Sequence, residues 1–137
     1  MGQLAAQRFA DAVARLDLTP PEAGALRALA RGTGISQREL AARLGAAPSR
    51  VVVLVDSLEH KGLVTRRRSA TDRRQHALHL TSAGTAMMKR LRRVAEEHEH
   101  ALLRPLSDRE RDQLSRLLAK LAAGHDLEPE SHPGYRD

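Results

Sequence analysis

The apolar positions of this chain fall into helical stripes separated by capping signals. Leu4, Phe9, Ala12, Val13 and Leu16 roughly share one face of a helix over residues 3–16. Thr19-Pro20-Pro21-Glu22 opens a second helix, running to about Ala30: a threonine cap, a proline at the first helical position and a glutamate that can reach back. Leu26 and Leu29 turn inward, and the glycines of Arg31-Gly32-Thr33-Gly34 stop it. Ile35 adds one residue of short strand. Ser36-Gln37-Arg38-Glu39 is another capping box, opening a helix from Gln37 to Leu44 that buries Leu40, Ala41 and Leu44 and ends at Gly45.

Residues 48–61 need context. The run Val51 to Val55 alone reads as a strand, being mostly β-branched. Yet Ala47-Pro48-Ser49 resembles a helix start, and Val51, Leu54, Val55 and Leu58 recur at i, i+3, i+4 and i+7. A helix ended by Gly62 fits better. A hairpin follows, with strands at 63–68 and 75–80 joined by the turn-forming Ser69-Ala70-Thr71-Asp72. His76, Leu78 and Leu80 face inward by alternation. Thr81 or Ser82 caps a long helix to about Leu103, with Met87, Leu91, Val94, His98 and Leu102 as its stripe, and Pro105 ends it. Ser107-Asp108-Arg109-Glu110 opens a last helix, 108–123, carrying Leu114, Leu117, Leu118 and Leu121 and closed by Gly124. Residues 125–137 read as a disordered polar tail.

The fold class is therefore mainly α with a small β-hairpin wing. The helices over 37–44 and 48–61 form a helix-turn-helix and the hairpin forms its wing. Residues 1–124 make one domain: a module at 18–82, with helices at 3–16 and 83–123 left over for dimerisation. The last two helices carry apolar stripes that so small a module cannot cover, and a second copy is the natural cover. The alternative is that they fold back on their own domain.

Charge narrows the function. The net charge is +6. Between Lys61 and Leu80 stand six basic residues, Lys61, Arg66, Arg67, Arg68, Arg73 and Arg74, against the single acid Asp72. A scattered arginine bias would not concentrate charge this way; a patch that releases phosphate counterions would. Phe9 and Tyr135 are the only aromatics, too few for the stacking platforms of single-strand or RNA binders, so duplex DNA is the favoured partner. There is no cysteine, which excludes disulfides, thiolate metal sites and thiol sensing. No apolar run reaches the length of a membrane span, and the start lacks a signal-peptide layout, so the expected location is cytoplasmic, with no membrane partner. No cofactor is expected. The histidines do not assemble a metal set: His98 and His100 diverge on a helix, His76 and His79 point to opposite faces of a strand, and Glu96 with His100 supplies only two ligands. His98 reads better as a buried or interface residue. No phosphate-binding glycine loop or nucleophile elbow is present, so an enzyme is not expected.

Leu18-Thr19, then SQRELAARLGAAPSRVVVLVDSLEHKGLV, then Thr71-Asp72-Arg73-Arg74-Gln75, then Leu80-Thr81-Ser82-Ala83-Gly84, resemble in order and spacing the MarR family of transcription regulators. The closing SDRERDQLSRLLAKL resembles its last helix, so the likeness spans about residues 18–123. The Asp-x-Arg wing followed by Leu-Thr-x-x-Gly is its most specific part. The resemblance implies a homodimer with intertwined terminal helices, two winged helices reading a pseudopalindrome, repression, and a small-molecule effector, often aromatic or phenolic, bound between the dimer helices and the DNA modules. The first helix is short for that layout, so pocket residues do not carry over.

The helix over 48–61 matches the recognition helix. Ser49 and Arg50 lie at its N-terminal end, where Arg50 can pair with a guanine. Val52 and Val53 fall outside the core stripe and either pack on thymine methyls or are partly buried against the wing. The family more often has a polar or basic residue at Val53. Arg74 matches the arginine that enters the minor groove, and Asp72 would orient the wing, with Arg73 nearest as a substitute. Arg66, Arg67 and Arg68 are expected at phosphates or as solvated charges. Ser36 and Gln37 begin a helix that can receive a phosphate, although Ser36 is equally explained as a cap. Two other readings stand: an architectural protein using the same wing without reading sequence, and a winged-helix module that meets an acidic protein.

Overall fold

The computed structural model describes residues 1–69 and 76–125. Its elements are α1 (Gly2–Ala14), α2 (Pro20–Arg31), β1 (Ile35–Ser36), α3 (Gln37–Leu44), α4 (Pro48–His60), β2 (Val64–Arg68), β3 (His76–Leu80), α5 (Ser82–Leu103) and α6 (Asp108–Gly124). The expected turn, from Ala70 onward, and the expected tail, from 126 onward, lie outside the described residues.

The core belongs to the winged-helix module. Leu26 and Leu29 of α2, Leu40 and Leu44 of α3, Val51, Val55 and Leu58 of α4, and Leu78 of β3 are all fully buried. The valine run of α4 is a helix because only that geometry puts Val51, Leu54, Val55 and Leu58 on one inward face. Gly45 ends α3 with φ of 62°, a left-handed backbone that closes the turn into α4.

The wing is a three-stranded antiparallel sheet ordered β1-β3-β2, rather than a simple hairpin. Ile35 pairs with Leu78 in β3, and Arg66 of β2 faces the same Leu78 from the other side. His76, expected inward with Leu78 and Leu80, is exposed, because β3 extends past the core at that end.

Leu80-Thr81-Ser82-Ala83-Gly84 welds the wing to α5. The Thr81 hydroxyl caps α5 by accepting from Gly84 N at 3.0 Å and donates to the Gly62 carbonyl at 2.6 Å. Thr81 N–H donates to the Leu63 carbonyl at 3.0 Å. Gly84 lies so close to that carbonyl that any Cβ there would collide with it.

The terminal helices differ from the module. In α1 Val13 is buried, while Phe9 only flanks the core and Leu4 is exposed; α1 ends at Ala14, and Leu16, beyond it, also flanks the core. In α5 only Gly84 and Leu91 are buried. The His98 ring lies 5.7 Å from that of Phe9, tilted by 54°. In α6 no residue is buried. Gly124 does not close α6; it is the last helical residue, and His125 caps it.

Candidate nucleic-acid interface

Three elements converge on one surface: the N-terminus of α3, the outward face of α4, and β2. The first is fixed by a complete capping box. Ser36 Oγ accepts from Glu39 N at 3.1 Å, and the Glu39 carboxylate accepts from Ser36 N at 3.0 Å. This assigns the Ser36 hydroxyl to the cap. Gln37 follows, half-buried, its Oε1 accepting from Arg66 Nε at 2.8 Å. That bond uses the acceptor end of the amide and leaves its N–H₂ end for another partner.

On α4, Ser49 is exposed and Arg50 is half-buried. Val52 is 40% and Val53 67% exposed, so burial against the wing does not account for Val53. Two adjacent valines therefore project from a polar helix face.

The three consecutive arginines of β2 are not equivalent. Arg66 pairs across the sheet with Leu78 and shares the core-side face; Arg67 pairs with Ala77 and points the other way. Arg67 and Arg68 are exposed cations. Arg66, expected to meet phosphate, is engaged within the protein. Its Nη1 reaches Glu59 Oε1 at 3.0 Å, its Nη2 pairs with Asp56, and its Nε donates to Gln37. Only 20% of its side chain is exposed. Asp72, Arg73 and Arg74 lie outside the described residues. Arg38 and His76, unassigned from sequence, line a shallow depression with Ser36, Gln37 and Arg66.

Behind this surface sits the one buried charged residue among those described, Glu22 at 6% exposure. The Thr19 box is half formed: Thr19 Oγ1 accepts from Glu22 N at 3.3 Å, but the glutamate turns inward instead of back. Its carboxylate accepts from Lys61 Nζ at 2.8 Å and from Ser57 Oγ at 3.2 Å. Lys61 also donates to the carbonyl of Asp17, a non-glycine residue held at φ of 58°. A lone carboxylate here would cost far too much in desolvation; paired and hydrogen-bonded, it fixes the C-terminal end of α4 against α2.

Among the described residues no helix is long and apolar enough to cross a membrane, and no group of three or more His, Asp or Glu could hold a metal ion.

The MarR family model matches residues 16–75. A protein described as a regulator of the hcr operon in Thauera aromatica is 37% identical over 122 residues, 88% of this chain and 74% of that one. The repressor CouR, solved bound to a 23-mer DNA duplex, is 37% identical and superposes with a TM-score of 0.79 over 88% of this chain and 87% of its own. The Mycobacterium tuberculosis MarR-family protein Rv2887, solved with p-aminosalicylic acid, is 29% identical with a TM-score of 0.73 over 88% and 92%. With the capped α3, the valine-faced α4 and the arginine strand in place on this fold, the chain belongs to the MarR family of transcriptional regulators.

Proposed function

We propose that this protein is a cytoplasmic repressor that binds a pseudopalindromic operator as a homodimer and is released by a small-molecule effector. The observation that carries the reading is the adjacency of two unlike surfaces. The exposed face of α4 offers Ser49, Val52 and Val53, and the neighbouring strand offers Arg67 and Arg68. Helix α4 enters the major groove by its N-terminal end, where Arg50 reads a guanine and the valines meet thymine methyls. Arg67, Arg68 and the Gln37 amide hold phosphates, which set register without carrying sequence information. The family resemblance gives Arg74 the minor-groove contact, with Asp72 as its orienting residue and Arg73 as the nearest substitute. The relative solved on a DNA duplex supports duplex DNA as the partner.

Two copies are supported by α6. Leu117, Leu118 and Leu121 are each more than half exposed, an apolar stripe that a second chain covers. The effector is an aromatic acid, supported by the relative that carries one. It acts by binding one spacing of the two recognition helices more tightly than the other.

Selection of bound duplexes from a random library at near-physiological salt tests the reading. Enrichment of an inverted repeat, with half-sites about one helical turn apart, is the expected result. Retention without enrichment would indicate an architectural protein, and no retention a winged helix that meets another kind of partner.

A further inference from the structure

We infer that Arg66 is a positioning residue: with Asp56 and Glu59 as its partners, it locks the wing strand, the recognition helix and the start of α3 into one reading surface. This rests on the DNA-binding reading above.

The geometry carries the assignment. Each guanidinium nitrogen of Arg66 meets a different side chain: Nη1 meets Glu59, Nη2 meets Asp56 and Nε meets Gln37. Glu59 also accepts the Arg66 backbone N–H, at 3.3 Å, so it holds the strand as well as the side chain. A planar fork bound on all its nitrogens cannot swing toward a phosphate without breaking these bonds. The partners lie on α4 and α3, so one side chain of β2 spans all three elements proposed to touch DNA. Leu78, the partner of Arg66 on the adjacent strand and on the same face, is fully buried and ties that part of the sheet to the core.

Charge makes the same point. Asp56 and Glu59 are two carboxylates against one guanidinium, on a helix that approaches a polyanion. Simple electrostatics would have them oppose binding. Holding Arg66 accounts for their presence. Gln37 is set by the same residue, since its acceptor end is spent on Arg66 and its donor end is left to face a phosphate.

The experiment compares wild type, Arg66→Ala, Asp56→Asn/Glu59→Gln and the triple combination. Each is titrated with the duplex enriched in the library selection and with a scrambled duplex, over a series of salt concentrations. Positioning predicts that neutralising the two acids weakens specific binding, by about tenfold, and that Arg66→Ala costs a similar factor. The triple variant should be no weaker than either, because all remove one device. Binding to the scrambled duplex should change little, which a general loss of folding would not produce. If the acid variant binds the enriched duplex as well as or better than wild type, the inference is overturned. It is overturned also if Arg66→Ala lowers the salt slope by about one while the losses add, the signature of a phosphate contact. Asp56→Asn alone, which removes a single arm, serves should the double variant not fold. A wild type that enriches no duplex would instead overturn the DNA-binding reading, and this inference with it.

Discussion

Leu58 in α4 and Leu121 in α6 stand on similarly regular apolar stripes, yet the first is fully buried and the second is 60% exposed. The stripe of α4 meets α2, α3 and the sheet, and its leucines and valines share one core with theirs. Among the described residues the stripe of α6 meets no comparable surface. Its polar anchoring is at its start, where the Arg111 guanidinium donates to the carbonyls of Leu103 and Leu106 at 3.2 and 3.1 Å. A periodic apolar face is thus a demand for burial, and the demand can be met by the same chain or by another. The core of the reading module closes within one copy; the stripe of α6 is left for the second copy proposed above.

Substitution in each region separates the two. Leu58→Ala removes a packed side chain and should cost about 2–5 kcal/mol of folding stability. In thermal unfolding that loss should be the same at low and high protein concentration. Leu117→Glu/Leu121→Glu should leave the module folded but convert a dimer to a monomer in sedimentation, with melting no longer concentration-dependent. A dimer that survived both glutamates would break the comparison, because the exposed stripe would then not be the interface.

Gly84→Ala examines the junction between the regions. The added methyl meets the Leu63 carbonyl, to which Thr81 also donates, so neither side can retreat cheaply. A destabilisation of about 1–3 kcal/mol is expected by denaturant titration. Glu22→Ala sharpens the picture inside the module, leaving Lys61 without its carboxylate. Lys61 is a quarter exposed, so the expected cost is about 1–2 kcal/mol, less than for a fully buried pair.

The smallest effect belongs to α6. The Ser107 backbone N–H, and then its side chain, hold the fully exposed Glu110 carboxyl below its ordinary range. A carboxylate depressed in the folded state contributes stability above its unfolded pKa and loses it as pH falls through the folded value. Ser107→Ala should therefore move the Glu110 titration upward in NMR, while the unfolding midpoint near neutral pH shifts only slightly.

Much of this was legible along the chain. The period of Val51, Leu54, Val55 and Leu58 overruled the strand preference of a valine run, because one helical face could bury them together. The boxes at Ser36 and Ser107 marked helix starts that the structure keeps, since an unpaired backbone N–H needs a nearby acceptor whatever the rest of the chain does. The cationic segment, too, was visible as charge density.

Only the tertiary structure decided what individual polar residues do. Arg66, Arg67 and Arg68 are one run in sequence; sheet register turns Arg67 to the other face, and Arg68, on the face of Arg66, stands opposite the exposed His76 rather than a buried leucine. Alternation could have hinted at this, because Leu78 is inward and Arg66 lies opposite it. No sequence spacing, however, reveals that Asp56, Glu59 and Gln37 meet around that guanidinium. Glu22 fits a cap by its position and became a buried ion pair because Lys61, far along the chain, comes to lie beside it. Helix starts and apolar stripes are set by neighbours a few residues away, so the sequence determined them. The partner of a charged side chain is set by which elements pack together, and that is decided only when the core closes.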